Sequence, residues 1–518
     1  MNDLAEKAWH GALAVGRAVR DHPMRSFGLS GLVAGSVAVV AGGQVAARAS
    51  SRPFTAWLGL ASTHGVSTGD AGSAVALLVA VVLLVGLWIG LVETVRRQGQ
   101  PLRRVWTVAG AWALPFVLGP PLMDTSVDSY VAYARLERLG RDPYVSRPLD
   151  LGTSPVVTAI DPVTRGDQSS AGPLGTLLQH FAISVSGGGL TATLIVFRVM
   201  GVLAAFAIGR GAVRLASPSA APDTTRGTAL ALCALNPLVL LYVVSSPHLE
   251  GVTVALLLSA AVAARRRRWP RALVLASLAG TVTTVGFVAV PVIVAVHLTA
   301  HRQGRWWRAL GLDVVVAAVP IALLRLAVPD GFGWVRTVRG QFDQHTPFAV
   351  ADAVGRLLSP VVRAASYDDL AAGGWVTAAA AAACVIGYLV LTPRERGVEA
   401  GIGYGLLALA LLAPVLHPWY LMWGVLVFAP TASGMRRTWV QALTAAGCVL
   451  TPPGFGTTTT YVVTGIGLGV VTVVTAAVLR AQDRAAGAAD GGSAAPADLA
   501  DGRPDVGQVD AGDHRRRE

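Results

Sequence analysis

Asp124 and Asp128 stand four residues apart in Leu122-Met123-Asp124-Thr125-Ser126-Val127-Asp128-Ser129-Tyr130, directly after an apolar run and at the head of a polar stretch that extends to residue 188. If a helix continues through them, this spacing puts both carboxylates on one face, with Tyr130 and Tyr133 close by. A carboxylate held at the end of a membrane span can take the proton of a substrate hydroxyl as a general base. The same pair also reads as two solvated loop acids, or as negative charge favoured at a helix N-terminus. Spacing alone does not choose between these readings.

Four further places carry side chains suited to chemistry. Arg198 lies inside Leu194-Ile195-Val196-Phe197-Arg198-Val199-Met200, where an unpaired charge costs about 2.5–3.5 kcal/mol on insertion scales, so it must face the bundle interior or a wet cavity. There a guanidinium can hold a lipid phosphate; it can equally pair with a buried acid or snorkel to the interface. Ser245-Ser246-Pro247-His248-Leu249-Glu250 makes a tight turn between two apolar runs, and Asn236-Pro237 before it opens a backbone kink. His248 and Glu250 can bind sugar hydroxyls or support a base, or His248 can be an ordinary solvated loop histidine, and two ligands without a third do not make a metal site. His417-Pro418-Trp419-Tyr420 begins another run, either as an interfacial aromatic belt or as rings that stack on a sugar or isoprenoid while His417 meets phosphate. Gly331 to Tyr367 adds Trp334, Arg336, Arg339, His345 and Arg363, either a basic and aromatic surface suited to an anionic glycolipid or simply an aqueous loop.

The elements that must position these groups are membrane helices. The chain is 53% hydrophobic and 14% charged over 518 residues and repeats apolar runs of 18 residues or more, which excludes a set of ordinary soluble domains. Spans are expected near 27–48, 72–95, 105–123, 189–213, 228–246, 249–264, 309–328, 373–392, 399–416, 418–432, 438–451 and 459–479. The net charge of +12 comes mostly from arginines in short loops such as Arg96-Arg97 with Arg103-Arg104, and Arg265 to Arg268. That pattern orients a bundle and is no nucleic-acid footprint. Placing these loops in the cytoplasm puts 124–188, the His248 turn, 329–372 and His417 on the external face. The run between Arg271 and His301 has basic loops at both ends, so its polar centre, Gly280-Thr281-Val282-Thr283-Thr284-Val285-Gly286, is expected to break the helix and return the chain to the same side. The expected organisation is a cytoplasmic segment 1–26, a membrane domain 27–480 and a disordered cytoplasmic tail 481–518.

Cys233, Cys384 and Cys448 lie inside apolar runs without paired spacing, so neither a disulfide framework nor a metal site is expected. Glycine-rich phosphate loops, HExxH and CxxC are absent. An enzyme with an external site and no nucleotide motif needs a donor already activated in the membrane, and a polyprenyl phosphate sugar meets that need.

In their order along the chain, Ser129-Tyr130, Gly140-Arg141-Asp142-Pro143-Tyr144, Gly172-Pro173-Leu174, Arg198, Asn236-Pro237-Leu238, His248 with Glu250, Val354-Gly355-Arg356-Leu357-Leu358-Ser359-Pro360 and His417-Pro418-Trp419-Tyr420 resemble the polyprenyl-phosphate-mannose-dependent α-(1→6)-mannosyltransferases of actinobacteria. The resemblance covers roughly residues 100–470. It implies an all-α polytopic membrane protein of the GT-C type, about 12–14 transmembrane segments with long external loops. The implied reaction is an inverting transfer of mannose from polyprenyl phosphate mannose to a lipid-linked mannan within the membrane lipids, with no metal, soluble cofactor or nucleic acid. It further implies Asp128 or Asp124 as base, Arg198 as phosphate partner, and Tyr130, His248, Glu250, His417 and Tyr420 as substrate-binding residues. The family's Asp-Val-Tyr-Ser-Tyr run sets its aspartate on Ser126 here, so the acids of this chain bracket that position. Ala171 stands where the family has tyrosine, and Leu249 where it often has asparagine. The competing class is a transporter or flippase of lipid-linked sugars, with Arg198 and the broken 271–301 hairpin lining a path; a third reading is an inactive relative that acts in envelope assembly.

Overall fold

Apolar runs in lipid must satisfy every backbone N–H and C=O internally, and the chain answers with helices throughout. A computed structural model describes residues 22–49, 70–123, 126–160, 164–217, 223–299, 306–328, 332–341, 349–350, 367–393, 397–450, 466–467 and 469. All of these belong to the first of two units, Met1–Thr472; the second, Val473–Glu518, lies outside the described residues, as does the expected tail. Among the described residues every regular element is helical.

In chain order the principal helices are α1 (Pro23–Ala49), α2 (Asp70–Gln98), α3 (Leu102–Leu118), α4 (Ser126–Arg138), α5 (Pro155–Ala159), α6 (Pro173–Ser186), α7 (Leu190–Leu215) and α8 (Asp223–Cys233). After the bend at Asn236 come α9 (Glu250–Arg265), α10 (Trp269–Val282), α11 (Ala289–Thr299), α12 (Trp306–Ala327), α13 (Gly333–Gln341), α14 (Tyr367–Leu391), α15 (Val398–Leu412), α16 (Tyr420–Phe428) and α17 (Gly434–Val449). Among the described residues five stretches, Pro23–Gly43, Gly72–Gln98, Leu190–Leu215, Trp306–Ala327 and Gly373–Leu391, are long and apolar enough to cross a membrane. The pair Asp223–Cys233 and Pro237–Ser245, bent by 45°, makes a sixth if read as one span. The remaining expected spans are shorter helices, and most of 459–479 lies outside the described residues.

Close helix contacts are set by small residues. A Cβ on Gly31 would lie 2.0 Å from the Trp112 ring, so α1 approaches α3 only because that position is glycine. Trp112 Nε1 donates to Phe27 O at 2.8 Å and Trp88 Nε1 to Ala231 O at 2.8 Å, so each large indole buries its ring without orphaning its N–H. Around 280–286 the chain does break and return. α10 stops at Val282, a 3₁₀ turn covers Thr284–Val288, and α11 follows. Trp269 at the start of α10 stacks on His297 near the end of α11, with ring centroids 4.8 Å apart, which brings the two outer ends together. A Cβ on Gly286 would lie 2.5 Å from the Ala279 carbonyl carbon and one on Gly280 2.4 Å from the Phe287 ring, so both glycines are needed for the reversal. His297 Nδ1 and Asp313 Oδ2, 2.8 Å apart, tie the hairpin to α12.

Candidate active site

The acid-bearing segment is held from two directions. α3 contains Pro115 and ends at Gly119, leaving its last carbonyls without intrahelical donors. Arg198, 3% exposed in the middle of α7, supplies them: its Nη1 donates to Phe116 O, to Val117 O at 3.0 Å and to Gly119 O at 2.8 Å. A cation in an apolar helix is thereby set against the negative end of another helix, which offsets its desolvation. Just beyond, the backbone N–H groups of Leu122 and Met123 donate to Ser246 Oγ at 3.2 and 3.3 Å. The exit of α3 is therefore fastened both to α7 and to the turn that carries His248. Gly201, three residues after Arg198, allows this convergence, because a Cβ there would lie 2.1 Å from Val243 O.

α4 starts at Ser126, and Asp128 stands in its first turn, where the helix field favours a carboxylate; its side chain is only 1% exposed. Asp124 lies outside the described residues. Val127 and Val131 of α4 share a small core with Leu249, Val282 and Phe197, so the neighbours of Asp128, His248 and Arg198 pack as one group. Tyr130 lies against Phe197, ring centroids 5.8 Å apart, on the Arg198 side of that group.

The second half of the site is a set of stacked rings. After Pro237 the chain winds as a π-helix over Leu240–Ser245, a form that recurs at functional sites, and then turns. His248 N–H donates to Tyr242 O at 3.0 Å, which fixes the turn. The imidazole of His248 is 2% exposed; its Nδ1 lies 3.6 Å from Glu250 Oε2, and its ring centroid lies 4.5 Å from that of Trp419. Trp419 in turn stacks on His417 at 4.3 Å with 6° between planes. Tyr420 meets His417 edge-on at 5.1 Å and stacks on Trp423 at 4.1 Å. Four of the residues singled out in the sequence, His248, Glu250, His417 and Tyr420, thus form one cluster although His417 stands 167 positions after Glu250.

Trp419 is the hub of this cluster and Ser246 the link to the acid-bearing segment, roles that sequence reasoning did not assign them. Both stand in motifs already quoted, His417-Pro418-Trp419-Tyr420 and Ser245-Ser246-Pro247-His248, so the signal was position beside a histidine. Tyr242, 5.5 Å from Trp419 and 5.8 Å from His248 by ring centroids, sits in an apolar run and carried no signal. Arg198 was expected to meet a lipid phosphate; the structure gives its Nη1 to α3.

A frame of loop contacts holds α4 from outside. Asp142 Oδ1 accepts from Tyr144 N–H at 2.8 Å, Tyr144 Oη and Thr176 Oγ1 of α6 are 2.8 Å apart, and Pro143 O accepts from Ser169 N–H at 3.0 Å. Burial pushes the Tyr144 phenol up to about 12, and burial likewise raises Tyr133, whose hydroxyl donates to Asp167 O at 3.1 Å, so both stay protonated donors. Gly172 N–H donates to Val282 O at 3.0 Å, and a Cβ on Gly172 would lie 2.3 Å from Thr281 O; the Gly172-Pro173 motif exists to bring α6 onto the hairpin break. Trp334 of α13 reaches Phe287 at 6.1 Å, while His345 and Arg363 lie outside the described residues. Among the described residues no three His, Cys, Asp or Glu side chains are placed to hold a metal ion.

Comparison with known proteins gives two family matches. The model described as "Alpha-(1->6)-mannopyranosyltransferase, N-terminal domain" matches residues 27–299, more than half of the chain, and "MptB C-terminal domain" matches residues 349–481. Among curated proteins, Alpha-(1->6)-mannopyranosyltransferase A of Mycobacterium tuberculosis is 24% identical over 391 residues, covering 70% of this chain and 73% of the relative. Alpha-(1->6)-mannopyranosyltransferase B of Corynebacterium glutamicum is 26% identical over 369 residues, 66% of this chain and 60% of the relative.

Proposed function

This chain belongs to the alpha-(1->6)-mannopyranosyltransferase family and is a membrane glycosyltransferase, and from that premise we propose that it moves mannose from a polyprenyl phosphate donor to a lipid-linked mannan acceptor. The observation that supports this reading most directly is the joining of the acid-bearing helix to the His248–Trp419–His417 cluster through Ser246 and Leu249.

The acceptor hydroxyl gives its proton to a carboxylate oxygen of Asp128, or of Asp124, as its oxygen forms a bond to the anomeric carbon of the donor mannose. The bond from that carbon to the phosphate oxygen breaks at the same time, and its electron pair stays on the phosphate. A single displacement of this kind inverts the anomeric centre. The charge that develops on the departing phosphate is met by imidazole N–H groups of His248 and His417, while Arg198 holds the end of α3 from which the acid-bearing segment leaves. Glu250 orients His248 and Trp419 holds the two imidazoles in place, while Tyr420 and Tyr130 offer rings and hydroxyls to the sugar and isoprenoid. The reaction is placed on the external face of the membrane, where a polyprenyl-linked donor needs no nucleotide.

The test uses membranes containing the full chain, radiolabelled polyprenyl phosphate mannose and a short α-(1→6)-mannoside. Transfer is expected without added nucleotide sugar, and a loss of a hundredfold or more in Asp128→Asn or Asp124→Asn, within the range general-base catalysis contributes. Unchanged transfer in the double substitution would overturn the base assignment; no transfer from any polyprenyl phosphate sugar would overturn the donor.

A further inference from the structure

At the end of the bundle that carries the short connection between α2 and α3, where both helices bear arginines, a groove of about 940 Å³ opens between α1 and α3. Its cationic wall is made by Arg25, Arg103 and Arg104, with His22 beside them. Deeper along the same two helices it is lined by Leu29, Leu32, Val108 and Ala111. Among the described residues no acidic side chain lines it. The neighbouring Arg96 and Arg97 of α2 share a single carboxylate, that of Glu93, at 2.5 Å from Arg96, so one positive charge there adds to the three arginines of the groove.

The order of the lining is that of an amphiphile. From Arg25 to Leu32 on α1, and from Arg104 to Ala111 on α3, the helical rise carries the wall from cation to hydrocarbon over about 10 Å. α1 begins a stretch able to cross the membrane, so the arginines lie at headgroup level and the apolar part at the level of the acyl chains. A soluble anion would use only the upper half of such a groove, and a neutral lipid only the lower half.

We infer that the groove between α1 and α3 binds an anionic phospholipid of the surrounding bilayer, its phosphate among Arg25, Arg103 and Arg104 and an acyl chain along Leu29, Leu32, Val108 and Ala111. The site is separate from the His248–Trp419 cluster and does not depend on the transfer reaction.

The experiment titrates the full chain, delipidated in neutral detergent, with phosphatidylglycerol, with phosphatidylcholine of the same acyl chains and with inorganic phosphate, counting bound lipid by native mass spectrometry. Phosphatidylglycerol is expected to bind at one site at least tenfold more tightly than phosphatidylcholine. Arg103→Gln with Arg104→Gln, both exposed and hence tolerant of exchange, is expected to weaken it about thirtyfold, which is ~2 kcal/mol at 1.4 kcal/mol per decade. Arg436→Gln, exposed on α17 and outside the groove, is expected to leave binding within twofold. Equal binding of the two lipids, full competition by inorganic phosphate, or an equal loss in Arg436→Gln would each overturn the inference. So would a tenfold gain in affinity on removing residues 1–21, which would make that segment the occupant.

Discussion

Replacing Arg198 with methionine separates the two jobs a guanidinium can do in this bundle. Nη1 has two hydrogens shared among the carbonyl oxygens of Phe116, Val117 and Gly119, so the substitution removes about two charge-assisted hydrogen bonds from the buried end of α3. At about 1.5–3 kcal/mol each, the loss is ~3–6 kcal/mol. Removing the cation from an apolar helix returns ~2.5–3.5 kcal/mol. The difference, roughly 0.5–2.5 kcal/mol of destabilisation, lowers the unfolding temperature by a few degrees at most in a chain of this size. The α3 exit carries the acid pair, so kcat falls with it. Thermal unfolding in detergent at a fixed scan rate, followed by transfer kinetics over a range of polyprenyl phosphate mannose, measures both. A lower Tm and kcat with donor KM changed less than threefold is the expected result. An unchanged Tm with donor KM raised tenfold or more would refute the reasoning and return Arg198 to the phosphate.

Gly172→Ala drives a Cβ to 2.3 Å from a backbone oxygen and should cost about 1–3 kcal/mol with loss of activity, whereas Gly110→Ala, with open space around it, should be neutral or stabilising in the same thermal assay. Trp419→Ala removes the ring between His248 and His417; at about 0.5–1.5 kcal/mol per aromatic contact it should lower kcat/KM by roughly ten- to a hundredfold, and Trp419→Phe should recover most of it. Burial raises the Glu137 carboxyl above its ordinary 4.5 despite His180 nearby at 3.5 Å. A raised folded-state pKa gives stability that is present below 4.5 and lost as pH rises through the raised value. Glu137→Gln should therefore match the parent at pH 4.5 and unfold at a higher temperature at pH 8; equal stability of the two proteins at pH 8 would refute the burial argument.

The loop frame around α4 was partly legible because its motifs are made of residues with few conformational options. Asp142-Pro143-Tyr144 reads as a turn, and Gly172-Pro173 as a helix start needing close approach; both do what their residue types permit. The break at Gly280 to Gly286 was legible for the same reason. Tyr242 was not, since a tyrosine in an apolar run looks the same whether it fills a core or backs a histidine. Ser246 was visible as a turn residue, but that its hydroxyl accepts from Leu122 and Met123, 124 and 123 positions away, is invisible in any local pattern.

By itself the sequence determined that the chain is a helical membrane protein and to which family it belongs, because hydrocarbon leaves a long apolar run no other way to satisfy its backbone, and because turn and cap residues keep their order along the chain. The tertiary structure alone decided what each polar side chain meets. Helical periodicity fixes which face a residue occupies but not which element lies opposite. A buried cation such as Arg198 accepts any adequate set of oxygens, and the helix end that supplies them lies about eighty residues away. His248 and His417 were each ambiguous in sequence for the same reason, and became one site only when packing set Trp419 between them.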